Sequence, residues 1–397
     1  MIYTKNNPLK VFTTFSGYDS QCLAFRKANI PFELIGWSEI EKRAIDAHNI
    51  LFPEFNDRNY GDIRKIDWEH VPDFDFFTYS SPCQSFSISG LKTGGEEGSG
   101  TKSSLLWECK KAIEIKRPKY LMLENVKNLV GSKFFPTFQK WLDFLSSLGY
   151  TSYWKVLNGI DYGVPQARER VFVISILNPE HEFKWSQPIK LKTCLNDYLQ
   201  KPKDVPKECY VSQNFVDDFI LNNEYISKFA GETWDDTCQE YINDKEQEIF
   251  KSKKGKQTNY VNKVVKDFDE DFDVNLFGET SNDLEIGDFG QILQIGNLRE
   301  DRKVFSNPQR TRIFSPKGVS PTLTMGDGFY ILVKENGSYR IREITGFERM
   351  KLMGVDDVDI QKLLDSKLFN NTKLKYLAGN SIIVDVMSAF YKNIINC

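Results

Sequence analysis

Histidine is scarce in this chain and cysteine is scattered. The three histidines, His48, His70 and His181, stand far apart, so a histidine-based metal centre is not expected. The seven cysteines (Cys22, Cys83, Cys109, Cys194, Cys209, Cys238 and Cys397) are odd in number and widely spaced, with no C-x-x-C pair. That pattern argues against a disulfide framework and a zinc knuckle. Long apolar runs are also missing. The longest, Val171 to Leu177, is far short of a bilayer span. The opening MIYTKNNPLK holds no apolar signal core, and a reducing cytoplasm is the expected location, away from any membrane. An excess of one charge is lacking too. Lys and Arg total 52 against 55 Asp and Glu, a formal net charge of −3. A uniformly basic nucleic-acid binder is thereby excluded, and any DNA contact must come from local patches.

What remains is an ordinary globular composition, 40% apolar and 27% charged over 397 residues. That length predicts two or three domains. Aromatics are plentiful, with 30 Phe, 17 Tyr and 7 Trp, and serve equally well as core or as base-stacking surface. Short apolar runs alternate with longer amphipathic stretches through the first 180 residues. Strands are predicted at Leu9–Phe15, Phe32–Trp37, Phe74–Tyr79, Tyr120–Leu123, Tyr153–Leu157 and Arg170–Leu177. Helices are predicted at Gln21–Asn29, Lys42–Asn49, Leu105–Lys116 and Phe135–Leu148. Repeated β–α alternation implies an α/β fold with a doubly wound sheet and helices on both faces. The rhythm breaks after about Pro179. Residues 186–310 are polar and irregular, with a basic cluster at Lys251, Lys253, Lys254 and Lys256 and an acidic one from Asp267 to Asp273. Such runs are most simply solvated faces. Helical signal returns at Arg342–Met353 and Ser381–Ile395.

Several residues at strand ends could carry chemistry. Phe15-Ser16-Gly17-Tyr18-Asp19-Ser20 lies between a strand and a helix, where open α/β sheets bind ligands. Glu39 follows Gly17 by 22 residues, the spacing at which a carboxylate grips a ribose diol. Gly61-Asp62-Ile63 can offer Asp62 to an exocyclic amine. Together these suggest an adenosine-containing cofactor, although one glycine alone marks only a turn. Asp19, just before a helix, is expected to cap it; contact with a cofactor ammonium and solvent exposure are the alternatives. Ser81-Pro82-Cys83-Gln84 places a cysteine just past a strand. It is either an activated thiolate or inert packing. Gly90, Gly94, Gly95, Gly98 and Gly100 follow, with Lys92 and Lys102 among them, and suit a loop that closes over substrate. Glu124-Asn125-Val126 puts a carboxylate at another strand end. Gln166-Ala167-Arg168-Glu169-Arg170 enters a strand with two arginines at period two, expected on one face.

Taken in this order, these motifs make the chain resemble the cytosine-C5 DNA methyltransferases of the bacterial or phage restriction-modification type. Phe15-Ser16-Gly17, Glu39 and Gly61-Asp62-Ile63 resemble the family's first three cofactor motifs. Pro82-Cys83-Gln84 resembles its nucleophile motif, Glu124-Asn125-Val126 its carboxylate motif and Gln166 to Arg170 its paired-arginine motif. Ser320-Pro321-Thr322-Leu323-Thr324 resembles the motif that follows the variable target-recognition region. Gly379-Asn380-Ser381-Ile382 resembles the last motif, which returns to the cofactor. The likeness covers residues 11–177 and about 310–395. The chain departs from the family's glycine run at Asp19 and Ser20.

The resemblance implies a Rossmann-like S-adenosylmethionine-dependent methyltransferase fold with a smaller target-recognition domain. The catalytic domain would take residues 1–180 and 370–397, and the small domain 181–369, with the reading region at about 186–310. Phe15, Gly17, Tyr18, Glu39, Ile40, Asp62, Ile63, Pro82, Asn380 and Ser381 would contact S-adenosylmethionine. Cys83 would add to C6 of a flipped cytosine, so that C5 can take the sulfonium methyl before a base removes the C5 proton. Glu124 would hold the N3/N4 edge, and Arg168 and Arg170 the O2 side and nearby phosphates. No metal is required. The implied partner is double-stranded DNA, met by a monomer, with a restriction endonuclease as a functional counterpart that it need not touch. An RNA cytosine methyltransferase and a catalytically silent DNA-binding protein share the fold and stay open as rivals. A dinucleotide-dependent dehydrogenase would leave Pro82-Cys83-Gln84 unexplained.

Overall fold

The computed structural model describes residues 3–81, 102–216, 290–298, 311–325 and 328–397. The first 180 residues build a six-stranded sheet from β1 (Leu9–Thr14), β2 (Phe32–Ser38), β3 (Phe76–Tyr79), β4 (Tyr120–Val126), β5 (Tyr150–Asn158) and β6 (Glu169–Leu177), in the order β2-β1-β3-β4-β6-β5. Four helices accompany it: α1 (Ser20–Lys27), α2 (Lys42–Leu51), α3 (Cys109–Lys116) and α4 (Phe135–Ser147).

Period-two alternation sorts the strands' side chains onto two cores. Tyr120 and Met122 of β4 point into one, and Leu121 and Leu123 into the other. Leu9 and Val11 part from Phe12 in the same way, as do Phe172, Ile174 and Ile176 from Val171 and Val173. The first core is closed by α1, α2 and the last helix, the second by α3 and by Phe138, Trp141 and Leu145 of α4. The expected helices on both faces are therefore present. The β–α rhythm fails only at the last strand: β6 runs antiparallel to both β4 and β5. No crossover helix separates β5 from β6, and the intervening residues 159–168 are left free to carry a motif.

A second sheet, in the order β10-β9-β8-β7, contains β7 (Gln294–Asn297), β8 (Arg312–Phe314), β9 (Tyr330–Glu335) and β10 (Ser338–Glu343). Asn336 and Gly337, both left-handed at φ 51 and 80, make the tight turn that joins β9 to β10. Ile295, Ile313, Leu332 and Ile341 form its small core. The chain ends in α5 (Gly346–Lys351), α6 (Asp357–Asp365), α7 (Asn371–Gly379) and α8 (Val384–Ile395).

Three expectations need correction. Arg342 belongs to β10 and not to a helix, because the capping box of Thr345 and Glu348 starts α5 only at Gly346. The helix expected from Leu105 opens as a 3₁₀ segment, Lys102–Glu108, and becomes α only at Cys109. Ser381 to Ile383 link α7 to α8 instead of starting the last helix. The glycine-rich stretch after Cys83 and both charge clusters lie outside the described residues. Among the described residues no helix is long and apolar enough to cross a membrane.

Candidate active site at the strand ends

The carboxyl ends of β1 and β2 are laced together. After Thr14 the chain turns through three left-handed residues, Phe15 (φ 52), Gly17 (φ 58) and Asp19 (φ 67). The Ser16 N–H donates to the Ser38 carbonyl at 3.3 Å. The Gly17 N–H donates to Glu39 Oε2 at 2.9 Å. The other oxygen of Glu39 accepts the N–H groups of Ile40 and Glu41, each at 2.8 Å. Glu39 thus fixes the first loop against the second. The third loop joins them through Asn59, whose Oδ1 accepts from Glu39 N (3.3 Å) and Gly61 N (2.9 Å). Sequence reasoning missed Asn59; an asparagine two residues before a glycine is a turn signal that would have found it.

The other predicted cofactor residues fall in different surroundings. Ile40 is 69% exposed beside Glu39. Ile63 is buried in the second core. Both oxygens of Asp62 are engaged by the Arg64 guanidinium, the shortest contact 2.6 Å, which lowers the carboxyl pKa. Pro82 and Cys83 lie outside the described residues. Asn380 is exposed at the end of α7. Ser381 Oγ donates to the Tyr18 hydroxyl at 2.5 Å; both residues are buried, and burial drives the Tyr18 pKa up. This bond brings the last motif onto the first loop. Asp19 stands at the cap position of α1, yet its side chain makes no capping bond. The capping expectation fails because the carboxylate turns inward and is fully buried.

At the end of β4, Glu124 is 7% exposed. Its Oε1 lies 3.3 Å from Arg170 Nε. Burial pushes the Glu124 pKa up, and the nearby charges of Arg170 and Arg168 offset part of that rise. Next to it, Asn125 Nδ2 donates to the Ser81 carbonyl at 3.1 Å. Ser81 is the residue from which Pro82-Cys83-Gln84 departs, so the carboxylate strand is tied to the point where the cysteine motif begins.

The two arginines take different partners. β6 starts at Glu169, so Arg168 precedes the period-two region. Arg170 meets Glu124, whereas Arg168 is buried and donates to three carbonyls: Leu323 (2.8 Å), Gly379 (3.3 Å) and Ser381 (2.7 Å). Gln166 extends the clasp, donating to the Leu352 carbonyl at 2.7 Å and accepting from Leu323 N at 3.2 Å. Residues 165–168 therefore bind Ser320–Leu323 to the start of the last motif. Gly379 is required in this contact, since a Cβ there would collide with the backbone of Thr324 and Met325.

The family model of the C-5 cytosine-specific DNA methylases matches residues 9–396. A type II methyltransferase of Lactococcus lactis subsp. cremoris, M2.ScrFI, is 34% identical over 437 residues, covering 97% of this chain and 99% of that protein. The orphan methyltransferase M.SPRI of Bacillus phage SPR is 27% identical, with 98% of each chain covered. Among solved structures, the Dnmt2 methyltransferase of S. pombe superposes with a TM-score of 0.60 at 16% identity, covering 98% of both chains.

Proposed function

The chain belongs to the C-5 cytosine-specific DNA methylase family, and from that premise we propose how its residues divide the work of a DNA (cytosine-5-)-methyltransferase. One observation carries the assignment: Glu124, buried and paired with Arg170, sits one residue from the Asn125–Ser81 bond that anchors the approach to Cys83. Cys83 is the nucleophile that adds to C6 of the target cytosine. Glu124, held toward its protonated form by burial, engages the N3/N4 edge and supplies a proton at N3 as electron density moves into the ring. Arg170 orients the Glu124 carboxyl and contacts the O2 side. Once C5 carries the transferred methyl group, a base removes the C5 proton, the bond to Cys83 breaks, and the thiolate is restored. The reacting carbons are inaccessible in a stacked duplex, so the cytosine is flipped out.

The methyl donor in this reading is S-adenosylmethionine, and the first three loops suit it. A Cβ built on Gly17 meets nothing within 4 Å, leaving open space over the turn. The buried Ser16 hydroxyl has no hydrogen-bond partner there, and the exposed Ile40 gives an apolar edge for a purine. Phe15, Gly17, Tyr18, Glu39, Ile40, Asn380 and Ser381 would hold it, with Asp62 available once its pairing to Arg64 opens. Bound there, it supplies an electrophilic methyl group.

Residues 1–180 and 370–397 form the catalytic domain in this proposal, and 181–369 the small one. DNA lies between them, read by residues of about 186–310. In this proposal the enzyme acts as a cytoplasmic monomer and protects DNA from a cognate restriction endonuclease; two of its relatives are named type II methyltransferases. Bisulfite sequencing of DNA from cells expressing the protein tests this. Protected cytosines confined to one sequence context are expected; none above background would overturn the reading.

A further inference from the structure

We propose that Asp19 is a positioning residue for cofactor binding, a buried carboxylate that holds the first loop in its left-handed shape from beneath. This inference rests on the S-adenosylmethionine reading above. Phe15 and Asp19 both adopt positive φ without being glycine. An aspartate tolerates that region better than most residues, but a phenylalanine there is a genuine outlier. A loop of this kind persists only where its surroundings over-determine it.

The bonds that do so are visible. The Asp19 N–H donates to the Ser16 carbonyl at 2.8 Å, closing the turn. Asp19 Oδ2 accepts from Thr13 Oγ1 on β1 at 2.9 Å. The same oxygen lies 3.4 Å from Nε2 of His48 on α2, and both side chains are fully buried. His48 is itself fixed by stacking on Trp37 of β2, with ring centroids 3.7 Å apart. The carboxylate thus joins β1, α1 and α2 directly below the turn whose Gly17 N–H binds Glu39. Burying a carboxylate is expensive unless its partners compensate. A glycine would supply the left-handed backbone without that cost. Asp19 is therefore retained for its side chain, and since no part of it reaches the surface, it acts through the loop and not by touching the cofactor.

Two substitutions separate the side chain from the backbone. Asp19→Gly keeps the φ and removes the anchor, and Asp19→Asn keeps the shape and removes the charge. Calorimetry with S-adenosylmethionine on the full-length protein should show both losing about tenfold or more in affinity, about 1.4 kcal/mol. Steady-state assays on duplex DNA should show the same rise in KM for S-adenosylmethionine, with kcat at saturation within about twofold of wild type. Thr13→Val, a smaller change that removes only the donor, should shift KM in the same direction and add little to Asp19→Asn. It also carries the test if the Asp19 variants fail to fold. Wild-type affinity in Asp19→Gly, or a lower melting temperature with unchanged KM across the set, would overturn the proposal alone. A wild-type protein that binds no S-adenosylmethionine would overturn the cofactor reading along with it.

Discussion

Glu124 of β4 and Arg170 of β6 meet across two antiparallel strands, Oε1 to Nε at 3.3 Å, with side chains only 9% and 18% exposed. Their registers explain the meeting. Glu124 lies opposite Phe172 and Arg170 opposite Val126, so the two side chains sit on a diagonal. Burial raises the proton affinity of the carboxyl, and the guanidinium restrains that rise. The pair can therefore present either a charged or a neutral edge to a bound base.

Glu124→Gln keeps the shape and removes the exchangeable proton. Methyl transfer should fall by about 10²–10⁴-fold, with S-adenosylmethionine affinity within about twofold of wild type by calorimetry. The pH dependence of stability has a definite sign. The folded-state pKa of Glu124 is raised, so the folded chain holds a proton that the unfolded chain releases, and stability is lost as pH rises above the ordinary value of 4.5. Denaturant melts should show the wild type losing ground to the Gln variant as pH rises above 4.5.

The two arginines should fail in different ways. Arg168→Ala leaves the carbonyls of Leu323, Gly379 and Ser381 without their donor and should cost on the order of 3 kcal/mol of stability in denaturant unfolding. Arg170→Ala should change stability less and depress kcat by about a hundredfold. The reverse pattern would assign the catalytic contact to Arg168.

Cys83→Ser should abolish methyl transfer and leave S-adenosylmethionine binding nearly intact. Wild-type enzyme should form a covalent complex, stable in denaturing gels, with duplex DNA carrying 5-fluorocytosine at the target, because fluorine blocks the final elimination. Each of the other six cysteines should be replaceable without loss of the chemistry.

Grafting residues 186–310 into a relative should carry the recognised sequence with it, read by bisulfite sequencing. Binding to duplex DNA should weaken steeply with salt as phosphate contacts release counterions. An unchanged sequence preference after the graft would place the reading elsewhere in the chain.

Patterns complete within a few consecutive residues were legible in the sequence. The strand Tyr120–Leu123, the turn at Gly17 and the carboxylate at Glu124 could be read because a short apolar run, a small residue and a strand end are local signals. The capping box of Thr345 and Glu348 is an equally local signal, and it sets the start of α5 at Gly346. Other features depended on partners remote in the chain. Asp19 has the spacing of a helix cap, yet Thr13 and His48 reach its carboxylate from a strand and a helix on either side and turn it inward. Arg168 and Arg170 form one motif, yet the strand begins between them, so one side chain meets Glu124 and the other closes on carbonyls more than 150 residues away. The amino-acid sequence by itself determined which residue types stand at the strand ends and that those ends face one crevice. Only the tertiary structure decided which of them meet, because a buried charge goes where packing brings it a partner, and packing joins residues far apart along the chain.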